Sequence, residues 1–131
     1  MFYFGRNSIE ELDTCHPDLQ LLMNRAIKYY DFSIVQGHRE QEAQDKAYAE
    51  KKSKVKWPNG KHNQLPSLAV DVAPWPTDWH DLKRFYYLAG IIQTLANFMK
   101  IKVRWGGDWN MNNNFSDQLF VDLPHWELIV E

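Results

Sequence analysis

The chain has one cysteine among its 131 residues, Cys15, so no internal disulfide can staple it. That fits synthesis in a reducing compartment. No histidine stands in an arrangement that would activate Cys15, which reads as inert. No apolar run approaches the roughly 20 residues a membrane-spanning helix needs, so membrane insertion is not expected. The start, Met-Phe-Tyr-Phe-Gly-Arg, lacks the basic opening and long apolar stretch of a signal peptide. An excess of either charge is missing too. With 15 basic and 17 acidic residues the net charge is −2, giving no electrostatic footprint for nucleic acid. The only basic cluster, Lys51-Lys52-Ser53-Lys54-Val55-Lys56, reads as a solvated helix end and loop, the alternative being steering toward an anionic polymer.

What is present is ample core material. Hydrophobic residues make up 44% and aromatic residues 15%, with six tryptophans, which argues against disorder. The length suits one domain spanning 1–131, with no separate second module expected.

Ser8-Ile-Glu-Glu11 matches a capping box and predicts a short helix starting there. Pro17 suits a first helical position, and Leu19, Leu22, Met23, Ala26 and Tyr30 recur at helical spacing, predicting a helix over 17–30. Phe32–Gln36 reads as a strand, 40–51 as a helix and 52–66 as a loop punctuated by Pro58, Gly60 and Pro66. Leu68–Ala73 reads as a strand stopping at Pro74, and 79–99 as the longest helix, opened by His80. Strands follow over 101–105 and 125–130. The pattern predicts an α+β domain, helices packed on a small, mostly antiparallel sheet, with a single metal site at the sheet edge.

His62, Asp71 and His125 form the constellation that carries chemistry. Asp71 lies in the apolar stretch Ala69-Val-Asp-Val-Ala73, where an unpaired carboxylate would be expensive to bury. Two imidazoles and one carboxylate suit a single zinc ion, and three protein ligands leave a position open for water or substrate. These candidates are expected at a strand end and a strand start, positions rigid enough to fix ligand geometry. Asp122, in the bend before Pro124, is the candidate general base. Strand alternation puts Glu127 on the side of His125, where it competes for that role but is read as supporting nearby groups. His16, His38 and His80 read as surface or hydrogen-bonded residues; His80 lacks metal spacing, and His38, in the turn before Arg39, is at most a support to the site. The loop Asp108 to Asp117 offers oxygens at alternate positions, a candidate Ca2+ site set against an ordinary polar loop, since it lacks the glycine and final glutamate of an EF-hand. Trp105 and Trp109 flank a turn and are candidates for the substrate cleft, with core packing as the alternative.

Four segments in order resemble a known family: Ile34-Val-Gln-Gly-His-Arg39 with Gln44, His62 to Asp71 with Ser67-x-Ala69-x-Asp71, Trp105-Gly-Gly-Asp108-Trp109, and Asp122-x-x-His125. The family is that of zinc peptidases including D-Ala-D-Ala carboxypeptidases, vancomycin-resistance dipeptidases and phage L-alanyl-D-glutamate endolysins. The resemblance covers nearly the whole chain and implies a hedgehog/D-Ala-D-Ala peptidase-like fold. It implies zinc on His62, Asp71 and His125, Asp122 as general base, and Arg39 as the group meeting the oxyanion. It also marks Gln44, Ser67, Asp108 and Glu127 as substrate-binding or supporting positions. Eight residues separate His62 from Asp71, more than in many members, and Ser67 replaces a common glycine; both are features of the endolysin-like branch. The expected function is a peptidoglycan hydrolase of the phage endolysin type, acting on the stem peptide at the L-alanyl-D-glutamate bond. Such a protein is expected to be a monomer, made in the host cytoplasm and acting on the wall once the membrane is permeabilised. The alternatives are a D-Ala-D-Ala carboxypeptidase or dipeptidase, and a non-catalytic zinc module that binds wall fragments.

Overall fold

Period-2 alternation in the strands separates an apolar face from a polar one, and this division positions everything that follows. The computed structural model describes residues 1–130. Its elements are α1 (Arg6–Leu12), α2 (Pro17–Ala26), β1 (Phe32–Gln36), α3 (Gln41–Ala49), a 3-10 turn at Lys61–Asn63, β2 (Ala69–Pro74), α4 (Leu82–Met99), β3 (Val103–Trp105) and β4 (His125–Leu128). The four strands form one antiparallel sheet in the order β1-β2-β4-β3. The expected α+β class, with helices on a small antiparallel sheet, is what the chain adopts.

Val70, Val72, Val103, Trp105, Trp126 and Leu128 are buried in one hydrophobic cluster with Leu19, Leu22, Met23, Leu88 and Ile92 of α2 and α4. Helix α4 packs on α2 and on β2 and β3, while α1 packs on β1. Fully burying an aliphatic side chain of this kind is worth about 1.5–3 kcal/mol, so this layer dominates the stability of the sheet. On the alternate positions stand Asp71, Arg104, His125 and Glu127. The register sets Asp71 directly opposite His125, and Arg104 opposite Glu127. A shift between Ile34 and Gln36 brings Gln36 beside Asp71.

Several boundaries differ from the sequence expectation. Helix α1 starts at Arg6 with Gly5 as its N-cap, not at a capping box. The hydroxyl of Ser8 instead accepts from the Ile34 amide (3.0 Å), and the Glu11 carboxylate accepts from the Gly37 amide (2.9 Å). Both polar side chains are spent on tying α1 to β1 and its following turn. Helix α2 does begin at Pro17 but ends at Ala26, with residues 27–29 as a turn. His80 precedes α4, which starts at Leu82. Asp71 sits within β2 and not at a strand end, and His62 lies in the 3-10 turn.

Candidate metal centre and cleft

The strand register and one turn converge three side chains. Asp71 Oδ1 lies 3.1 Å from His62 Nε2 and 3.3 Å from His125 Nδ1. The potential ligand atoms of His62, Asp71 and His125 all fall within 4.8 Å of one another, the only such group among the described residues. His62 is carried in by its 3-10 turn, which is held to the chain after β1 by a hydrogen bond from the Arg39 amide to the His62 carbonyl (2.7 Å).

The outward nitrogen of each imidazole is already committed. His62 Nδ1 donates to the Gly37 carbonyl at 2.8 Å, and His125 Nε2 donates to Glu127 Oε1 at 2.8 Å. The remaining nitrogens therefore turn their lone pairs toward the Asp71 carboxylate, an arrangement that calls for a cation at its centre. Histidine ligands oriented by a carbonyl or carboxylate behind them are the usual outer support of a metal site. Two nitrogens and one oxygen fit a borderline ion such as zinc. Without a metal, a proton plays that part. Burial would lower the pKa of His125, but hydrogen bonds to Asp71 and Glu127 outweigh it and raise the pKa to about 9. Burial likewise opposes ionisation of Asp71, yet the charges of His62 and His125 and their hydrogen bonds hold its carboxyl well below the usual range.

Gly37 links the centre to α1. Its amide donates to Glu11, and its carbonyl accepts from His62. A β-carbon there would stand 2.3 Å from both the Glu11 carbonyl oxygen and Thr14 Oγ1, so only glycine permits this approach.

Arg39 reaches the same centre from the segment before α3. Its Nη2 lies 3.4 Å from Asp71 Oδ2 and its Nη1 donates to Gln44 Oε1 at 3.2 Å. Gln44 is almost fully buried and uses its whole amide. Its oxygen also accepts from Asn63 Nδ2 (3.1 Å), and its nitrogen donates to Ser53 Oγ (3.0 Å) and the Val55 carbonyl (2.6 Å). This residue is a fastener of the loops around the cleft.

Asp122 lies on the cleft wall outside the ligand group. Burial and the nearby Asp71 raise its pKa to about 6 against the opposing pull of His125, His62 and Arg39. Its backbone is fixed by Gly106: the Asp122 amide donates to the Gly106 carbonyl (2.9 Å), and the Gly106 amide donates to the His125 carbonyl (2.8 Å). A β-carbon on Gly106 would stand 2.0 Å from the Asp122 carbonyl oxygen.

Glu127 is buried behind His125. Burial would raise its pKa, but His125 and Arg104 hold it down at about 2. Its Oε2 accepts from Arg104 Nη2 at 2.7 Å and lies 3.4 Å from Lys61 Nζ, so Glu127 supports the centre and is not poised as a base. Trp109 packs its ring on His125 (centroids 5.3 Å apart) and donates from Nε1 to the Phe120 carbonyl. These groups line a cleft of about 990 Å3 together with the 50–55 loop, Phe120 and Val121.

Other expected site residues lie elsewhere. Ser67 is fully buried in a turn, bonded to Ala69 and bridging Cys15, and does not line the cleft. Trp105 belongs to the core, stacked on Trp126, on the face opposite His125. Asp108 accepts from the amides of Asn112 and Asn113, and Asp117 accepts from the side chains of Asn110, Asn112 and Gln118. The 108–117 loop thus turns N–H donors onto its carboxylates, as an ordinary polar loop does. His38 bonds the Gln64 carbonyl and does not line the cleft. Cys15 is buried, which pushes its thiol up to about 12. Sequence reasoning missed Arg104 and Lys61 as partners of Glu127; the alternation of Arg104 with Val103 and Trp105 was the available signal.

The family described as phage L-alanyl-D-glutamate peptidase matches residues 1–129. The L-alanyl-D-glutamate peptidase of Escherichia phage T5 is 34% identical over 136 residues, covering 98% of this chain and 98% of that protein. The crystal structure of the L-Ala D-Glu endopeptidase ChiX of Serratia marcescens is similar with a TM-score of 0.76 and 26% identity, over 97% of this chain and 90% of that one. A match over nearly the whole length, with the converging ligand group and its supports in place, means that the chain belongs to the phage L-alanyl-D-glutamate peptidase family.

Proposed function

We propose that this protein is a zinc-dependent endopeptidase of the peptidoglycan stem peptide, cleaving between L-Ala and D-Glu. The observation that carries the reading is the pair of imidazoles whose outer nitrogens are engaged and whose inner lone pairs face Asp71, set in a cleft beside Asp122 and Arg39. Zinc held by His62 Nε2, Asp71 and His125 Nδ1 would supply Lewis acidity toward the scissile carbonyl and make water a better nucleophile at neutral pH.

The chain's own residues do the rest. Asp122 takes a proton from the attacking water on its carboxylate, a group that burial and the nearby Asp71 make more basic than an ordinary aspartate. As the bond between the L-Ala carbonyl carbon and the D-Glu nitrogen breaks, Asp122 returns that proton to the leaving amine. Arg39, held between Gln44 and Asp71, meets negative charge developing on the carbonyl oxygen. Glu127 keeps His125 in the required tautomer, and Trp109 walls the cleft. As an endolysin, the protein meets its substrate after the host membrane is permeabilised; no helix among the described residues is long and apolar enough to cross a membrane.

Digestion of purified peptidoglycan followed by mass spectrometry tests this. The expected products are stem peptides beginning with D-Glu and glycan strands retaining L-Ala. Release of D-Ala alone would instead indicate a carboxypeptidase, and wall binding without cleavage a non-catalytic module.

A further inference from the structure

The basic run of the 50–56 loop is absorbed neither by the metal centre nor by the base. Lys46, Lys51, Lys52 and Lys54 all line the wall of the cleft formed by the end of α3 and this loop. The chain as a whole is slightly acidic, yet the cleft lining holds seven Lys and Arg against four Asp and Glu. On the floor the cations are matched: Arg39 with Asp71, and Lys61 and Arg104 with Glu127. On the wall Lys52 is matched by Glu50. Lys46, Lys51 and Lys54 make no ion pair among the described residues, so the excess positive charge lies on this one wall.

This wall is built, and is not a loose surface tail. The buried Gln44 amide grips Ser53 Oγ and the Val55 carbonyl, on either side of Lys54. The amides of Lys52 and Ser53 both donate to the Ala47 carbonyl, at 2.8 and 3.1 Å. Lys51 takes a left-handed backbone conformation with φ of 61°, which turns the chain back over the cleft. From this frame Lys54 reaches Phe120, another residue of the cleft lining, its ammonium 5.3 Å from the ring centroid. A cation is thereby held over Phe120 in the cleft that Asp122 also lines.

We propose that Lys51 and Lys54 form a carboxylate-binding subsite that reads the free α-carboxylate of the D-Glu residue on the leaving side of the substrate. The inference rests on the stem-peptide reading above and adds its charge specificity. D-Glu joined through its side-chain carboxyl leaves the α-carboxylate free next to the scissile nitrogen, and α-amidation removes that charge without altering the bond cleaved. The subsite positions substrate and takes no part in proton transfer.

The test uses soluble disaccharide-peptide fragments, free of other wall polymers, with D-Glu either α-carboxylate or α-amide. Wild-type protein should cleave the acid form with kcat/KM roughly three- to tenfold higher, the effect lying in KM, as expected for exposed ion pairs. The advantage should shrink as ionic strength rises. The Lys51→Gln/Lys54→Gln double variant should lose the preference while keeping its melting temperature and its kcat on the amide, and Lys54→Arg should retain it. Equal cleavage of both forms by the wild type, or an unchanged preference in the double variant, would overturn the subsite. A wild-type protein that cleaves neither form overturns the peptidase reading itself, and this inference with it.

Discussion

Glu127 Oε1 stands 2.8 Å from Nε2 of His125, on the side of the imidazole turned away from Asp71. The pairing fixes which nitrogen of His125 is free to bind, and it is anchored in turn by Arg104 and Lys61. Glu127→Ala is expected to lower metal affinity roughly 10- to 100-fold, the usual effect of removing such a support. Competition with a chromogenic chelator measures this. Unchanged affinity would mean that Glu127 is only a core acid.

Metal uptake should displace a proton. In the metal-free site the pKa of His125 is raised to about 9, so at pH 7 the imidazole is charged and must lose a proton before Nδ1 can coordinate. Zinc affinity is therefore expected to rise as pH increases toward 9 and then level off. The sign for stability is the reverse. Relative to an unfolded value of 6.5, this raised pKa stabilises the metal-free fold fully below about pH 6.5, and the contribution fades as pH rises through about 9. Calorimetric titration in buffers of different ionisation enthalpy reads the proton count; no release at pH 7 would refute the assignment.

Asp122→Asn should cut kcat by about a hundredfold or more while leaving zinc content unchanged, because the base is lost and the ligands are not. Gly106→Ala should mimic it partially, since a β-carbon would push on the Asp122 carbonyl. Normal turnover in Asp122→Asn would remove that residue from the mechanism.

Gln44→Ala should destabilise the fold by roughly 2 kcal/mol, because Asn63, Arg39 and the Val55 carbonyl each lose a partner in a buried setting. Denaturant unfolding would show it as a lower midpoint. The same variant should loosen the basic wall and so erode discrimination between acid and amide substrates.

Strand-like composition around Asp71 and His125 made the ligand group legible in sequence, because a carboxylate inside Ala69–Ala73 demands a partner. The register that sets Asp71 opposite His125 was not legible, since antiparallel pairing of β2 with β4 spans a long separation in the chain. Ser8 and Glu11 carry a local capping signal, but long-range acceptor roles toward Ile34 and Gly37 prevailed. Trp105 and Trp109 looked equivalent beside their turn; β3 assigns Trp105 to the core, and the polar loop after it carries Trp109 to the cleft. Gln44 stood out only by family resemblance, because its partners lie in loops whose course no periodicity predicts.

The peptide at Gly37 faces two ways, its amide toward Glu11 of α1 and its carbonyl toward His62. A helix that contributes no atom to the cleft is thus coupled in series with a proposed metal ligand. For engineering, fusions at the exposed first residues should be harmless, whereas trimming into α1 would blunt metal retention before it touched the substrate path. The amino-terminal helix is a buttress, and shortening it should act at a distance on the proposed metal centre.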